Sequence, residues 1–320
     1  MPDVTPEPGP ETSPGTASEP AAHSTAPPRG PRVDDDTVLP LDAAESIPDT
    51  SVDISVEEVT DLPQGKMLEV DDVTLRFGGV TALDGVSFHI NTGEILGLIG
   101  PNGAGKTTCF NVMTGVYQPT SGGVRFMGEP LGKRHKFQIT KLGIARTFQN
   151  IRLFHNMTAL ENVLVGADAH HSTGMGTALL RLRKHHAEEK EGMDRAYELL
   201  KFMGLERRAD ELARNLPYGD QRRLEIARAL ATNPKLLCLD EPAAGFNPAE
   251  KARLMELIQT IRDQGYTVLL IEHDMKLVMG VTDRIVVLEF GKKIAEGLPA
   301  EIRDNPAVIA AYLGVDEDAS

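Results

Sequence analysis

Two cysteines and the absence of any long hydrophobic run limit what this sequence can be. Cys109 and Cys238 each lie in a predicted regular element, a helix and a strand. We interpret both as buried, unpaired thiols of a reducing compartment, and neither has the neighbouring histidine that would activate a catalytic thiol. The longest apolar run, residues 307–313, is far too short to span a bilayer, and the first residues lack the features of a secretion signal. We therefore expect a cytosolic protein.

The N-terminal segment lacks aromatic residues altogether. Residues 1–65 contain two basic residues against 14 acidic ones, and 12 of the chain's 21 prolines. Such a segment cannot bury enough apolar surface to offset its ordering entropy. We predict that residues 1–66 form a disordered acidic tail, whose deletion leaves the folding transition nearly unchanged. Because the rest of the chain carries only −2 of the net charge of −14, no nucleic-acid partner is expected.

A glycine-rich stretch, GPNGAGKT at 100–107, has the context of a phosphate-binding loop. It follows an apolar run at 95–99 and precedes a run at 108–114 that can be helical. Backbone N–H groups of such a loop converge on phosphate oxygens, Lys106 supplies a cation, and the Thr107 hydroxyl can ligate Mg²⁺. The alternative is a glycine-rich turn that merely resembles the pattern. The predicted phosphate-binding residues are Gly100, Pro101, Asn102, Gly103, Ala104, Gly105, Lys106, Thr107 and Thr108.

The pattern of apolar runs predicts an α/β core with a small antiparallel β-layer. Between 158 and 214 the alternation typical of strands is replaced by helical periodicity, and Gly166, Gly174 and Gly176 are interpreted as a loop between two helices. Helices are predicted at 219–232 and 249–263. The predicted strands are 68–75, 86–90, 122–126, 144–148, 236–239, 267–271, 285–288 and 293–295.

Polar side chains follow three of these strands. Asp240 and Glu241 end the strand 236–239, and the carboxyl edge of a parallel sheet would place them beside the phosphate loop. Asp240 is then positioned for the Mg²⁺ shell and Glu241 for an attacking water, although two acids at a strand end can also form a solvated turn. Gln149 is predicted to reach the Mg²⁺ or the water, and His273 the γ-phosphate. A surface glutamine and a structural histidine are the alternatives.

With the segment LPYGD at 216–220, these features resemble the ATP-binding cassette superfamily. The matching motifs are the Walker A loop at 100–107, the Q-loop at Gln149, the signature at 216–220, the Walker B strand at 236–241, the D-loop near 244–247 and the switch residue His273. The resemblance implies a P-loop ABC ATPase with a RecA-like core, an antiparallel β-layer and a helical subdomain near 150–216. It places the ATPase domain at 67–297 and a C-terminal helical extension at 298–320.

The same resemblance implies that two such domains meet head to tail. Each ATP is then held by the Walker A loop of one subunit and the signature of the other. This assigns Tyr218, Gly219 and Asp220 to nucleotide binding. Phe77 lies where the family places an aromatic residue that stacks on adenine, and a core phenylalanine is the alternative.

A narrower resemblance concerns the ATPases of branched-chain amino acid importers. It rests on the segment 146–154, the residues around 157–163, the helix 222–228, the run 242–248 and the tail at 302–314. The chain resembles the larger of the two ATPase subunits in that family, which has an extra helical segment around 175–191. The implied function is MgATP hydrolysis that drives uptake of branched-chain amino acids or similar solutes.

The implied partners are a second ATPase subunit, transmembrane permease subunits and, indirectly, an extracytoplasmic solute-binding protein. The chain would then lie on the inner face of the membrane as a peripheral protein. ABC ATPases for urea, amides or lipids are the alternatives within transport. A soluble ABC ATPase acting on DNA or ribosomes is disfavoured, because those usually carry coiled-coil arms or a second cassette.

Two positions depart from the superfamily pattern. Pro217 replaces the usual signature serine, whose hydroxyl meets the γ-phosphate of the partner's nucleotide; proline has neither a hydroxyl nor an N–H. Asn247 replaces the usual D-loop aspartate, as is common in this subgroup. We therefore expect the ATP site that this chain's signature completes to be the weaker of the two.

Overall fold

The computed structural model of the chain describes residues 52–54, 65–168 and 183–313. The strands are β1 (Lys66–Phe77), β2 (Val80–Asn91), β3 (Ile95–Ile99), β4 (Ser121–Phe126), β5 (Glu129–Pro130), β6 (Ile144–Arg146), β7 (Leu236–Asp240), β8 (Thr267–Ile271), β9 (Arg284–Glu289) and β10 (Lys292–Gly297). The helices are α1 (Lys106–Met113), α2 (Lys136–Leu142), α3 (Ala159–Ala167), α4 (Arg183–Phe202), α5 (Tyr218–Ala231), α6 (Pro248–Asp263), α7 (Met275–Val281), α8 (Pro299–Arg303) and α9 (Pro306–Leu313). Within these ranges no helix has the length and apolar character needed to cross a membrane.

A six-stranded sheet forms the centre of the fold, in the order β10–β9–β3–β8–β7–β6. Strands β9, β3, β8, β7 and β6 run parallel, and β10 pairs antiparallel with β9 at one edge. Every residue of β3, β7 and β8 is buried, as expected for parallel strands covered on both faces. Because parallel strands end at one edge, the segments that follow β3, β6, β7 and β8 meet there.

The predicted antiparallel β-layer is confirmed as a second sheet, ordered β2–β1–β4–β5. The hairpin between β1 and β2 brings Phe77 opposite Val80. Gly78 stands at its turn with φ 56°, a left-handed conformation that glycine adopts without a steric cost. The buried side chains of this sheet pack with those of α1 and of the large sheet in one apolar cluster, which includes Phe88 and Phe110. The phosphate loop is therefore held between two sheets.

The helices α3, α4 and α5 form an apolar layer, as the periodicity of this region predicts. The interpretation of Gly166 as a loop residue is wrong, because it lies inside α3 against α5. A Cβ atom at Gly166 would stand 2.2 Å from the carbonyl oxygen of Arg228 and 2.9 Å from the Cβ of Ala231. The glycine therefore permits the close approach of two helices. Gly174 and Gly176 lie outside the described residues.

Part of the predicted N-terminal tail is docked beside the segment that joins α6 to β8. Val52 and Ile54 are 8% and 3% exposed and belong to the same apolar cluster. The Ile54 N–H donates to Oε1 of Gln264 at 3.2 Å, and the Ile54 carbonyl accepts from the Tyr266 hydroxyl at 2.9 Å. The prediction that residues 1–66 form a disordered tail is therefore wrong for 52–54, and Lys66 already belongs to β1. Residues 1–51 and 55–64 lie outside the described part of the chain.

Several element boundaries differ from the expected ones, among them the start of β2, which is Val80 and not residue 86. The strand β6 ends at Arg146 and not at Phe148, although the Thr147 N–H still donates to the carbonyl of Cys238 at 2.9 Å. The helix α1 begins at Lys106, so that its first turn includes the end of the phosphate loop. Both cysteines are buried free thiols, as predicted, and burial raises the pKa of each to about 12. They therefore stay protonated and inert.

The C-terminal helices support the strand that leads into the phosphate loop. Ile302 of α8 and Val308 of α9 pack in one apolar cluster with Ile99, the last residue of β3. Ile285 and Val287 of β9 complete the contact. The helical character expected after residue 298 is thus present up to Leu313, where the described part of the chain ends.

Candidate nucleotide-binding site

Four segments meet at the carboxyl edge of the large sheet. The phosphate loop follows β3, Gln149 follows β6, Glu241 follows β7 and His273 follows β8. The phosphate loop, Gln149 and Glu241 border an open cleft of about 570 Å³. The cleft is lined by Val80, Thr81, Ala82, Asn102, Gly103, Ala104, Gly105, Lys106, Thr107, Thr108, Gln149, Glu241, Phe290 and Gly291. The expectation that Asp240 and Glu241 lie beside the phosphate loop is met for Glu241, which lines the cleft together with Gln149. Asp240 and His273 are not among the residues that line it.

Main-chain atoms leave no room for side chains at two glycines of the loop. Gly100 has φ 151°, and a Cβ atom there would lie 2.1 Å from the carbonyl oxygen of Leu288. Gly105 has φ 98°, and its Cβ would lie 2.9 Å from the carbonyl oxygen of Ala82. Both positions therefore require glycine for conformation and for space. The loop itself is closed by a 3.2 Å hydrogen bond from the Ala104 N–H to the Pro101 carbonyl.

The helix that follows the loop points an uncapped N-terminus into the cleft. Gly105 is the N-cap of α1, and no side chain caps the helix. The N–H groups of the first turn, which includes Thr107 and Thr108, have no partner within the helix. Free N–H donors and the positive end of a helix dipole together form an anion site. The loop therefore fits a phosphate group.

Lys106 lies on the inner side of the loop. It is 7% exposed and donates from Nζ to the carbonyls of Gly100 and Pro101, at 2.7 and 2.9 Å. Burial lowers the pKa of Lys106, and the negative charge of Glu241 partly offsets this effect. The lysine is thus a cation in a partly desolvated place, coupled electrostatically to the carboxylate across the cleft. There its attraction for phosphate oxygens is stronger than in bulk water.

The three residues predicted to be catalytic lie together. Gln149 donates from Nε2 to Oε2 of Glu241 at 3.0 Å, and Nδ1 of His273 lies 3.7 Å from the same oxygen. The backbone of Glu241 is left-handed, with φ 46°, and its N–H is held by the carbonyl of Ile271 at 2.9 Å. A non-glycine residue in that conformation is strained, and such strain is common at functional sites. It directs the carboxylate into the cleft.

Asp240 is a buried carboxylate with a weak ion pair. It is 4% exposed, and its Oδ2 lies 4.0 Å from Nη2 of Arg146. Burial raises the pKa of Asp240 to about 6, against the smaller opposing effect of Arg146. Its N–H donates to the hydroxyl of Thr147 at 3.2 Å, which fixes the end of β7. A buried carboxylate with so distant a counter-charge suits a cation.

The donors near Asp240 fit Mg²⁺ that arrives with phosphates. Mg²⁺ is usually held by one or two carboxylates together with substrate phosphates and water. Among the described residues, no cluster of three or more His, Cys, Asp or Glu could hold a metal ion by itself. Asp240, the Thr107 hydroxyl and the Gln149 side-chain amide are the groups that would hold it.

Phe77 lies beside the cleft, at the tip of the antiparallel layer. Its ring is 46% exposed and meets Tyr117 edge to face, with centroids 5.2 Å apart and planes at 75°. Its neighbour across the hairpin, Val80, lines the cleft. The alternative of a core phenylalanine does not fit this exposure. The adenine contact of Phe77 stays a prediction.

The signature residues are not part of this cleft. Tyr218 is 47% exposed and its ring meets Phe246 edge to face at 6.1 Å. Asp220 is 8% exposed, and its carboxylate pairs with Arg208 at 3.2 Å and Arg223 at 2.5 Å. Asp220 therefore secures the start of α5. Tyr218 and Gly219 stand at the N-terminus of that helix, away from the chain's own phosphate loop.

A groove between α2, α3, α5 and the segment after β6 was not anticipated from the sequence. It has a volume of about 410 Å³, and its walls include Arg146, Phe148, Arg152, Phe154, Glu225 and Arg228. The Arg146 guanidinium lies over the Phe148 ring at 4.6 Å and that of Arg152 at 4.4 Å. From the sequence, residues 146–154 support a family resemblance, and the region 149–161 is expected to transmit closure to a membrane permease. An alternation of Arg and Phe at 146–154 was the available signal.

The comparisons with known proteins agree with this geometry. The ABC transporter family profile matches residues 83–244, and the profile described as branched-chain amino acid ATP-binding cassette transporter matches residues 292–318. The chain is 49% identical, over 249 residues, to the high-affinity branched-chain amino acid transport ATP-binding protein LivG of Escherichia coli strain K12. That alignment covers 78% of this chain and 98% of LivG.

Two solved structures show the same fold. One is the ADP conformation of MJ1267, an ATP-binding cassette of an ABC transporter, with a TM-score of 0.68 and 31% identity, over 78% of this chain and 99% of that one. The other is the dimeric, post-hydrolysis state of the ATP-binding cassette MJ0796 bound to ADP and Pi. Its TM-score is 0.62 and its identity 29%, over 73% of this chain and 99% of that one. The chain therefore belongs to the ABC transporter family, as an ABC ATPase of the group of ATP-binding proteins that includes LivG.

Proposed function

We propose that this chain hydrolyses MgATP to drive the uptake of branched-chain amino acids, or closely related small solutes, through a membrane permease. The observation that carries the proposal is the Gln149–Glu241 pair at the mouth of the phosphate-loop cleft. A chain 49% identical to LivG over nearly all of LivG supports the choice of solute. Urea, amide or lipid transport are the competing outcomes of the test described below.

The chemistry assigned to the cleft follows from its charges. Lys106 and the N–H groups of the first turn of α1 hold the phosphates and offset the charge that develops on them. Glu241 orients and polarises the attacking water, and Gln149 fixes the direction of the Glu241 carboxylate. His273, 60% exposed in its side chain, contacts the γ-phosphate. Asp240, Thr107 and Gln149 would hold a Mg²⁺ ion that arrives with the nucleotide, and the ion would supply charge neutralisation of the phosphates.

The proposal includes a second ATPase subunit. Tyr218 and Gly219 are exposed to solvent or partly so and do not border the chain's own cleft. A head-to-tail pair would bring them to the nucleotide of the partner. The dimeric form of MJ0796, whose cassette this chain resembles, supports such an arrangement.

The groove at 146–154 is the proposed contact with the permease. The groove is lined by Phe148, the neighbour of Gln149 in the chain. A displacement of the groove would therefore move Gln149, whose side chain contacts Glu241. Attachment through this groove would hold the chain on the inner face of the membrane, with an extracytoplasmic solute-binding protein acting indirectly through the permease.

The test is ATP-driven uptake by the assembled transporter. The chain is co-purified with its membrane subunits, reconstituted into vesicles with the solute-binding protein, and supplied in turn with labelled leucine, isoleucine, valine, urea, an amide or a lipid. We expect MgATP-dependent accumulation of the branched-chain amino acids, and none with Glu241→Gln. Accumulation of urea, an amide or a lipid instead would overturn the assigned solute, and the lack of any ATP-dependent uptake would overturn transport.

A further inference from the structure

An ion pair on α5 is buried completely. The side chains of Arg222 and Glu225 are 0% and 1% exposed, and Nη1 of Arg222 lies 3.0 Å from Oε2 of Glu225. Removing two charges from water costs several kcal/mol per ion unless nearly all their hydrogen bonds are made inside the protein. A pair in such a place is weak evidence of stabilisation. Its other hydrogen bonds show what it holds.

Both members of the pair bind the backbone of one segment, residues 148–152. Arg222 donates from Nη1 to the carbonyl of Phe148 and from Nη2 to the carbonyl of Gln149, each at 2.8 Å. Oε1 of Glu225 accepts from the N–H groups of Arg152 and Phe148, at 3.2 and 3.4 Å. Hydrogen bonds with one ionised partner are about twice as strong as neutral ones. The segment is therefore fixed by main-chain contacts that do not depend on its side chains.

The two connected parts carry different elements of the site. Residues 148–152 include Gln149, whose side chain reaches Glu241. The helix α5 begins with the signature residue Tyr218, and Nη2 of Arg222 also lies within 3.5 Å of its hydroxyl. Glu225 and Phe148 line the groove described above. The ion pair thus connects the groove to Gln149 in the cleft and to Tyr218 in the signature.

We propose that Arg222 and Glu225 are positioning residues that join the 148–152 segment and α5 into one mechanical unit. A displacement at the groove then moves Gln149 and Tyr218 together. Binding of a partner in the groove would therefore act on both ATP sites of a pair of subunits, through Gln149 in one site and Tyr218 in the other. The inference rests on the proposed function, because it assumes that Gln149 and the signature act on nucleotide.

The decisive variant carries Arg222→Met and Glu225→Met together. Replacing a buried ion pair with apolar residues of similar volume is often neutral for stability, whereas removing one partner alone is strongly destabilising. This variant should fold while losing all four hydrogen bonds to residues 148–152. Arg195→Lys is the matched control, since the recorded hydrogen bonds of Arg195 go to Asn233 and Tyr266.

Three measurements on the full chain, in the assembled transporter where turnover is concerned, separate positioning from folding. We expect an unchanged Kd for MgATP, a kcat lower by about 10- to 100-fold, and faster amide hydrogen exchange in residues 148–152. Glu225→Gln alone keeps a carbonyl acceptor at this position. Its kcat should therefore lie between that of the double variant and that of the wild type. In a Gln149→Ala background the double replacement should cost little further turnover, because the two changes act on one unit.

Outcomes that contradict the inference are distinct from those that contradict the function. An unchanged kcat despite faster exchange at 148–152 would show that the pair does not position Gln149. Unchanged exchange with the double replacement would show that the pair does not hold the segment. If the wild-type chain itself neither binds nor hydrolyses ATP in the complex, the proposed function has failed and not the positioning role.

Discussion

Gln149 and Glu241 are joined by a 3.0 Å hydrogen bond from Nε2 to Oε2, although they lie at the ends of two different strands. The bond engages one oxygen of the carboxylate and restricts rotation of the carboxylate plane. Because Glu241 already has a left-handed backbone, its side chain is held from both ends. Two residues far apart in sequence therefore act as one group.

The first prediction concerns the charge of Glu241. Glu241→Gln keeps the shape of the side chain but removes the carboxylate that polarises water, so turnover should fall by about 10²- to 10⁴-fold. The affinity for ATP should be retained, because the phosphates are held by the loop. ATPase rates of the reconstituted transporter and nucleotide titrations check both parts. A rate within a few-fold of wild type would contradict the role of Glu241.

Lys106→Ala is the contrasting variant for that experiment. It removes the cation from the phosphate loop, and a hydrogen bond to a charged group contributes about 1.5–3 kcal/mol. The Kd for ATP should therefore rise with Lys106→Ala and not with Glu241→Gln. Equal effects of the two variants on Kd would mean that binding and chemistry are not separated as proposed.

The second prediction concerns the docked residues Val52 and Ile54. Truncation of residues 1–50 should leave the thermal unfolding midpoint unchanged, because a segment poor in apolar residues contributes few packed contacts to stability. Ile54→Ala should lower stability by about 1–3 kcal/mol, since it removes a buried side chain that packs on the helical layer. Comparing the two proteins by calorimetry, with Val52→Ala as a second probe, decides the matter. A stable Ile54→Ala protein would mean that the docking is incidental.

The third prediction concerns Pro217, the N-cap of α5, which makes no side-chain cap. Pro217→Ser adds a hydroxyl that can reach the partner's γ-phosphate, and we expect faster ATP hydrolysis in the assembled complex. A serine at the N-cap also stabilises a helix, by about 1 kcal/mol. Pro217→Ala controls for loss of the ring, because it adds no hydroxyl.

The asymmetry implied by Pro217 has a separate measurement. Glu241→Gln in this chain should reduce transport more than the equivalent change in the second ATPase subunit. The site built on this chain's phosphate loop is completed by the partner's signature, whereas the other site contains Pro217. Equal losses from the two glutamate variants, with no gain from Pro217→Ser, would show that the sites are equivalent.

The fourth prediction concerns Gly166 in α3. Alanine normally favours a helix over glycine by about 1 kcal/mol. Here the added Cβ would lie 2.2 Å from the carbonyl oxygen of Arg228, so α3 and α5 would have to separate. Gly166→Ala should therefore destabilise the protein, by about 1–3 kcal/mol. A higher unfolding midpoint would mean that the helices adjust freely.

The carboxyl-edge residues were predictable because their signal is local. An apolar run followed by acids, a glutamine or a histidine fixes where those side chains emerge, and parallel pairing then brings Gln149, Glu241 and His273 to one edge. The central strands have the same property, since both of their faces are buried. The signature and the D-loop were assigned from the order of the motifs along the chain.

The features that were missed depend on contacts between distant segments. Arg222 and Glu225 suggest a solvated helix face when only periodicity is considered, and only the tertiary structure shows that they are buried. Ile54 lies in an alternation of apolar and polar residues, Val52-Asp53-Ile54-Ser55-Val56, but nothing local indicates its contact with Tyr266. Gly166 was interpreted as a loop residue, because the sequence does not show that the backbone of another helix approaches it.

The atoms that approach the phosphate-loop glycines Gly100 and Gly105 most closely belong to the main chain. The carbonyl of Leu288 faces Gly100, and the carbonyl of Ala82 faces both Gly105 and Gly291. A shift of the strands that carry those carbonyls, β2 and β9, would therefore change the space around the loop without any change in its own residues. The C-terminal helices pack on β9, so substitutions at Ile302 or Val308 are one way to adjust that spacing.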